Sequence, residues 1–125
     1  MFSNSIDTYR AKYQLVSGAE IYNSCAVAVA DEDHPDIRIA SAQAADELLG
    51  VQGVNASFVM YPSAGAVNIS ARSLGAVNVQ VIMEKLGGGG HQTMAGAQLK
   101  DVSVGEVRER LIGILNETEI HKENL

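Results

Sequence analysis

Leu86-Gly87-Gly88-Gly89-Gly90-His91-Gln92-Thr93-Met94-Ala95-Gly96 is the stretch around which the rest of the chain is organised. Four consecutive glycines are disfavoured inside helices and strands, since each loses the most backbone freedom on ordering and packs no side chain. Such a run permits positive φ and lets a ligand come close to the backbone, and its successive N–H groups can converge on an anion. His91 adds a donor able to carry a proton near neutral pH. On these residues alone, a flexible hinge bearing a surface histidine is an equal reading. The flanks decide between them.

Upstream of the glycines, Asn78 is placed to cap a helix in which Val79, Ile82, Met83 and Leu86 recur at helical spacing, ending where the run begins. Before it, residues 55–61 and 66–72 read as two strands joined by the turn residues Pro62-Ser63-Ala64-Gly65, the clearest hairpin in the chain. Alternation in the second strand sets Val67, Ile69 and Ala71 inward and puts Ser70 and Arg72 together on the other face. Downstream, residues 95–99 read as a returning strand. Ser103 with Glu106 forms a capping-box signature ahead of a helix carrying Val104, Val107, Leu111 and Leu115. The charged residues from Glu117 to Leu125, His121 among them, read as a frayed, solvated tail.

The N-terminal half is simpler. Ile6, Tyr9, Tyr13 and Val16 predict the inward face of an amphipathic helix over residues 5–16. Residues 25–30 form a short apolar run suited to a buried strand, with Cys25, the sole cysteine, inside it. The acidic stretch Asp31-Glu32-Asp33-His34-Pro35-Asp36 invites a metal reading, but no ligand spacing recurs elsewhere and a solvated loop is favoured. Ala40 to Leu49 reads as a helix with Gly50 as its C-cap. Helices interleaved with strands around an antiparallel hairpin predict an α/β fold with a mixed β-sheet of four to five strands and packed helices.

A chain of 125 residues with 46% hydrophobic content and no tryptophan suits one domain with an aliphatic core. No apolar run approaches the roughly 20 residues of a membrane span, and the N-terminus lacks secretory-signal character. The net charge of −6 opposes a broad grip on long nucleic acid. Between Ala66 and Lys100, however, Arg72, Lys85 and Lys100 stand against Glu84 alone, a local balance of +2 that leaves −8 elsewhere. A locally neutralised site on an acidic body suits a small anionic ligand.

Two polar features flank one helix: Ser70-Ala71-Arg72-Ser73 before it and the glycine–histidine loop after it. If the sheet brings the two loops together, the arginine fork can hold phosphate oxygens bidentately. The N–H groups of Gly88, Gly89 and Gly90 can cradle the same phosphate, and His91 can donate to a phosphoryl oxygen or protonate a leaving oxygen. Taken singly, Arg72 is equally a surface ion pair, and Ser70 and Ser73 read as strand-edge hydroxyls. Phosphodiester cleavage generally needs a metal site or a positioned nucleophile. With His34, His91 and His121 as its only histidines, the chain reads as half of an active site, with no metal ligands of its own.

At Ser70-Ala71-Arg72-Ser73, Gly87-Gly88-Gly89-Gly90-His91 and Ala95-Gly96 the sequence resembles the DHHA1 domain, the C-terminal substrate-binding partner of DHH-family phosphoesterases. The run from Ile69 to His91 is most similar to membrane-anchored bacterial cyclic-di-AMP phosphodiesterases. Met94 stands where many such domains have alanine. The resemblance implies that residues 1–20 form a helical connection from an upstream DHH domain and residues 21–125 the DHHA1 domain. It implies a parent enzyme that opens cyclic-di-AMP to pApA with Mn2+ held in that upstream domain. The Asp-His-His motif is absent here, and Asp33-His34-Pro35 does not replace it.

Carried onto this sequence, the resemblance makes Arg72, Ser73, Gly88, Gly89, Gly90 and His91 substrate-binding, with His91 also catalytic. This chain alone is expected to hold no metal and to be inactive. Its expected partners are a cyclic dinucleotide and the upstream DHH domain, with a homodimer also admitted. It would be a cytoplasmic domain of a membrane-anchored parent, not itself inserted. Other branches imply alternatives: the lobe of an oligoribonuclease, pAp phosphatase or single-strand exonuclease, or a non-catalytic RNA-binding module.

Overall fold

The computed structural model describes residues 5–123, with side chains through Glu117. Six strands form one sheet: β1 (Glu20–Tyr22), β2 (Cys25–Val29), β3 (Ala56–Ser63), β4 (Ala66–Ser73), β5 (Gly89–Gly90) and β6 (Met94–Lys100). They lie in the order β1-β2-β3-β4-β6-β5, and only β2 and β3 run parallel. Among the described residues there are four helices: α1 (Ile6–Ser17), α2 (Ile37–Leu48), α3 (Val79–Lys85) and α4 (Val104–Glu123). The predicted α/β architecture is present, with β1 and β5 added at the two edges.

The sheet buries both faces of its centre. Phe58, Met60, Ile69 and Ala71 meet Val79, Ile82 and Met83 of α3 and Val107, Leu111 and Leu115 of α4 on one side. Val59 and Ala28 meet Leu15 of α1 and Ala44, Ala45 and Leu48 of α2 on the other. The alternation predicted for β4 is seen in its register: Val67, Ile69 and Ala71 are buried, while Asn68, Ser70 and Arg72 face the α2 side and stay half-exposed. Beyond α2 that face is uncovered, so Met94 and Gln98 of β6 are exposed there.

The N-caps of α3 and α4 are where the sequence places them. Asn78 Oδ1 accepts the N–H groups of Gln80 (3.0 Å) and Val81 (3.3 Å). Ser103 Oγ accepts the Glu106 N–H at 3.1 Å, but the reciprocal half of the capping box is missing. Glu106 instead pairs with Arg110 at 2.6 Å.

Other expectations are corrected. In α1 the buried residues are Thr8 and Leu15, while Ile6, Tyr9 and Tyr13 are 60%, 54% and 63% exposed. Polar ties set the rotation of this helix. Thr8 Oγ1 donates to Asp36 Oδ2 at 2.9 Å, and Lys12 pairs with Glu47 at 3.2 Å. The expected Pro62–Gly65 turn shrinks to Ala64 and Gly65, both at positive φ (53° and 75°). Pro62 is accommodated within β3 because β2 pairing ends at Met60, so no neighbour on that side needs its N–H. α2 begins at Ile37, ahead of the expected Ala40, and its C-cap is Leu49. The backbone of α4 continues as helix through Glu123 where a frayed tail was expected; the His121 side chain lies outside the described residues.

Candidate functional site

The two loops flanking α3 meet because β4 and β6 are neighbours. Arg72 stands opposite Met94 in the ladder. One rung on, the Ser73 N–H donates to Thr93 O at 3.0 Å, and the Val79 N–H donates to Gln92 O at 3.0 Å. Gln92 Nε2 adds a bond to Gly75 O at 3.3 Å. The tip after the glycines is thereby stitched to the β4–α3 connection. His91 and Met94 exchange backbone hydrogen bonds (2.7 and 3.3 Å) around a two-residue turn. Arg72, Met94 and His91 therefore form one cross-strand row, with backbones about 10 Å apart from first to last.

Fold demands explain three of the four glycines. Gly87 ends α3 at φ +86°. A Cβ on Gly88 would run into the Gly96 carbonyl oxygen and lie 2.7 Å from Ala97 Cα. On Gly90, at φ +144°, it would lie 2.6 Å from Met94 O. A Cβ on Gly89 would meet nothing within 4 Å. Gly89 pairs with Gly96, which pairs with Ser70, so its bare Cα belongs to the face that carries Arg72. At that point the sheet offers backbone alone.

Arg72 reaches across the face to α2. Its Nε lies 3.2 Å from Asp46 Oδ1, a short contact that lacks the alignment of a hydrogen bond, and its Nη1 donates to Ala71 O at 3.1 Å. The side chain is 15% exposed, so most of the guanidinium is held. Ser73 points the other way. Its side chain is buried and Oγ accepts the Gly75 N–H at 2.9 Å, shaping the turn. His91 is exposed. Met94 is 53% exposed and occupies the row between Arg72 and His91.

The sequence reading missed Asp46, and it missed a second polar group on the same face: Arg38, Tyr61, Asn68 and Gln98. Burial raises the Tyr61 phenol above its usual range, opposed by the Arg38 charge and a hydrogen bond with Ser70. The even-numbered positions of β4 could have pointed to Asn68. The others depend on register and on the docking of α2.

The acidic loop serves structure. The Asp36 N–H donates to His34 Nδ1 at 3.0 Å, and Asp33 Oδ1 accepts the His34 N–H at 2.8 Å. Among the described residues no three His, Cys, Asp or Glu side chains gather to hold a metal, so these residues do not fit a manganese centre.

The DHHA1 domain model matches residues 22–118. The chain belongs to the DHHA1 family. It is 47% identical over 113 residues to the cyclic-di-AMP phosphodiesterase PdeA of Listeria monocytogenes, covering 89% of this chain and 17% of that protein. The cyclic-di-AMP phosphodiesterase GdpP of Geobacillus thermodenitrificans is 49% identical with the same coverage. This DHHA1 chain thus spans about a sixth of the length of those relatives. An exopolyphosphatase-related protein from Bacteroides fragilis shares the fold at TM-score 0.75 and 18% identity, covering 91% of this chain and 37% of its own.

Proposed function

We propose that this DHHA1 domain is the substrate-binding lobe of a phosphodiesterase that opens cyclic-di-AMP to pApA. One observation carries the reading: on the face of Arg72, Gly89 lacks a side chain that the fold has room for. The identity with two cyclic-di-AMP phosphodiesterases gives the substrate class. Arg72 holds one phosphate through its guanidinium, and the backbone of Gly88–Gly90 lets that phosphate approach. His91 donates to a phosphoryl oxygen or protonates the departing ribose oxygen. Ser73 contributes by fixing the turn that follows Arg72.

Manganese, held in an upstream DHH domain of a longer protein, would supply Lewis-acid chemistry. In this reading residues 1–20 connect the two domains, the isolated chain does not hydrolyse, and the parent is anchored in the bacterial membrane with this domain in the cytoplasm. Calorimetric titration of the chain with cyclic-di-AMP tests the grip. Binding lost in Arg72→Ala is expected. Equal binding by wild type and variant would overturn it.

A further inference from the structure

Of the cavities away from the glycine loop, one shares the sheet face of Arg72. Arg38, Tyr61, Ser63, Ala64, Asn68 and Gln98 line about 300 Å³ on the same sheet face as Arg72, toward the opposite end of β4. The stretch of extended strand from Asn68 to Arg72 spans about 13 Å. A ligand phosphate at Arg72 and a group in this cavity would therefore sit about a nucleotide's reach apart, on the face that α2 covers in part.

The amide pair on the cavity wall offers what a base edge needs. Gln98 Nε2 donates to Asn68 Oδ1 at 3.2 Å, and Asn68 Nδ2 donates to Ser63 O at 3.4 Å. These bonds orient the Gln98 carboxamide and leave its carbonyl oxygen beside its second N–H. An acceptor next to a donor matches the N6 amino group and N7 of adenine, whereas guanine shows two acceptors on the same edge. Arg38 is exposed and has no carboxylate partner among the described residues. Its planar guanidinium can lie against a base π-face. Tyr61 forms part of the cavity wall.

We infer that this cavity is a nucleobase subsite, taking one adenine of the dinucleotide whose phosphate sits at Arg72. The inference rests on the reading of the glycine-loop face given above. Gln98 reads the base edge, Arg38 stacks on it, and Asn68 is a positioning residue that orients Gln98.

The test is an NMR titration of the 15N-labelled chain with millimolar pApA, pGpG and ribose 5-phosphate, in wild type and Gln98→Leu. With pApA, the side-chain amides of Asn68 and Gln98 should shift together with the backbone amides of Gly88–His91. Ribose 5-phosphate should shift only the latter. Gln98 is exposed, so Gln98→Leu should remain folded. It should weaken pApA about tenfold, as expected for one bidentate base contact, and leave ribose 5-phosphate unchanged. Shifts confined to Gly88–His91, or pGpG binding as tightly as pApA, would overturn the subsite while sparing the phosphate grip. Shifts at Asn68 and Gln98 alone would support the subsite and overturn the grip. No shift at either place would overturn both.

Discussion

Gly89 and Arg72 stand on one face of the sheet, separated by β6, and Gly89 is the residue of its run whose missing side chain the fold leaves unexplained. Structural glycines and ligand-facing glycines are usually confounded in such a loop. Here Gly88 serves the fold, Gly89 faces the ligand in the proposed reading, and substitution separates the two.

Gly88→Ala should destabilise the domain by about 1–3 kcal/mol or more, because the new methyl collides with the backbone of β6 rather than with a side chain that could swing away. Gly89→Ala should stay within about 0.5 kcal/mol of wild type. It should nevertheless weaken binding of pApA, since its methyl enters the space above the row of Ser70 and Gly96. Urea unfolding and calorimetric titration of both variants check this. Unimpaired ligand binding by Gly89→Ala would remove the loop from the site.

Asp46 is the carboxylate nearest the Arg72 guanidinium, at 3.2 Å, and it is itself largely exposed. An exposed carboxylate contributes little to such a pair, so Asp46→Asn should cost less than about 1 kcal/mol. The same carboxylate repels any phosphate arriving at Arg72. Asp46→Asn should therefore tighten pApA binding, most visibly at low salt, where the repulsion is least screened. Titrations at two ionic strengths read this, and weaker binding would instead make Asp46 a holder of the arginine.

The Tyr61 phenol is raised above 10.0 by burial, so the folded state keeps its proton to higher pH than the unfolded chain does. Its contribution is complete below pH 10 and is lost as pH climbs through the raised value. Stability should fall above pH 10 with a slope of at most about 1.4 kcal/mol per pH unit from this group. Tyr61→Phe should flatten that limb of the profile in urea unfolding between pH 9 and 11. An unchanged slope would assign the loss to other groups.

Much of this site was legible because its signals are local. The Asn78 cap, the period of Val79, Ile82 and Met83, and the alternation around Ile69 and Arg72 are set by residues a few positions apart. What stayed hidden depends on partners distant in sequence. β5 consists of two glycines, whose strand conformation comes from β6 and from no preference of their own. The face of α1 was rotated, leaving Val16 against the core but Ile6, Tyr9 and Tyr13 outside, because Thr8 and Lys12 find Asp36 and Glu47, which outweigh a weak apolar stripe. The pairing of Asn68 with Gln98 follows only from the β4–β6 register.

His91 is the last residue to test, because its place in the Arg72–Met94–His91 row makes no demand on its side chain. Its backbone forms the turn and its imidazole is exposed. His91→Ala should accordingly unfold in urea within about 0.5 kcal/mol of wild type. In a longer protein that also carries the metal-bearing domain, the same substitution should lower turnover of cyclic-di-AMP by about 10²–10⁴-fold if the imidazole moves a proton in the reaction. Manganese binding, measured separately, should be unchanged, because the metal ligands lie elsewhere. His91→Gln, which can donate a hydrogen bond but cannot transfer a proton, divides the two roles. Substantial activity in His91→Gln would make the residue a phosphate donor, and loss equal to His91→Ala would make it the acid. Full activity in His91→Ala would take it out of the chemistry altogether.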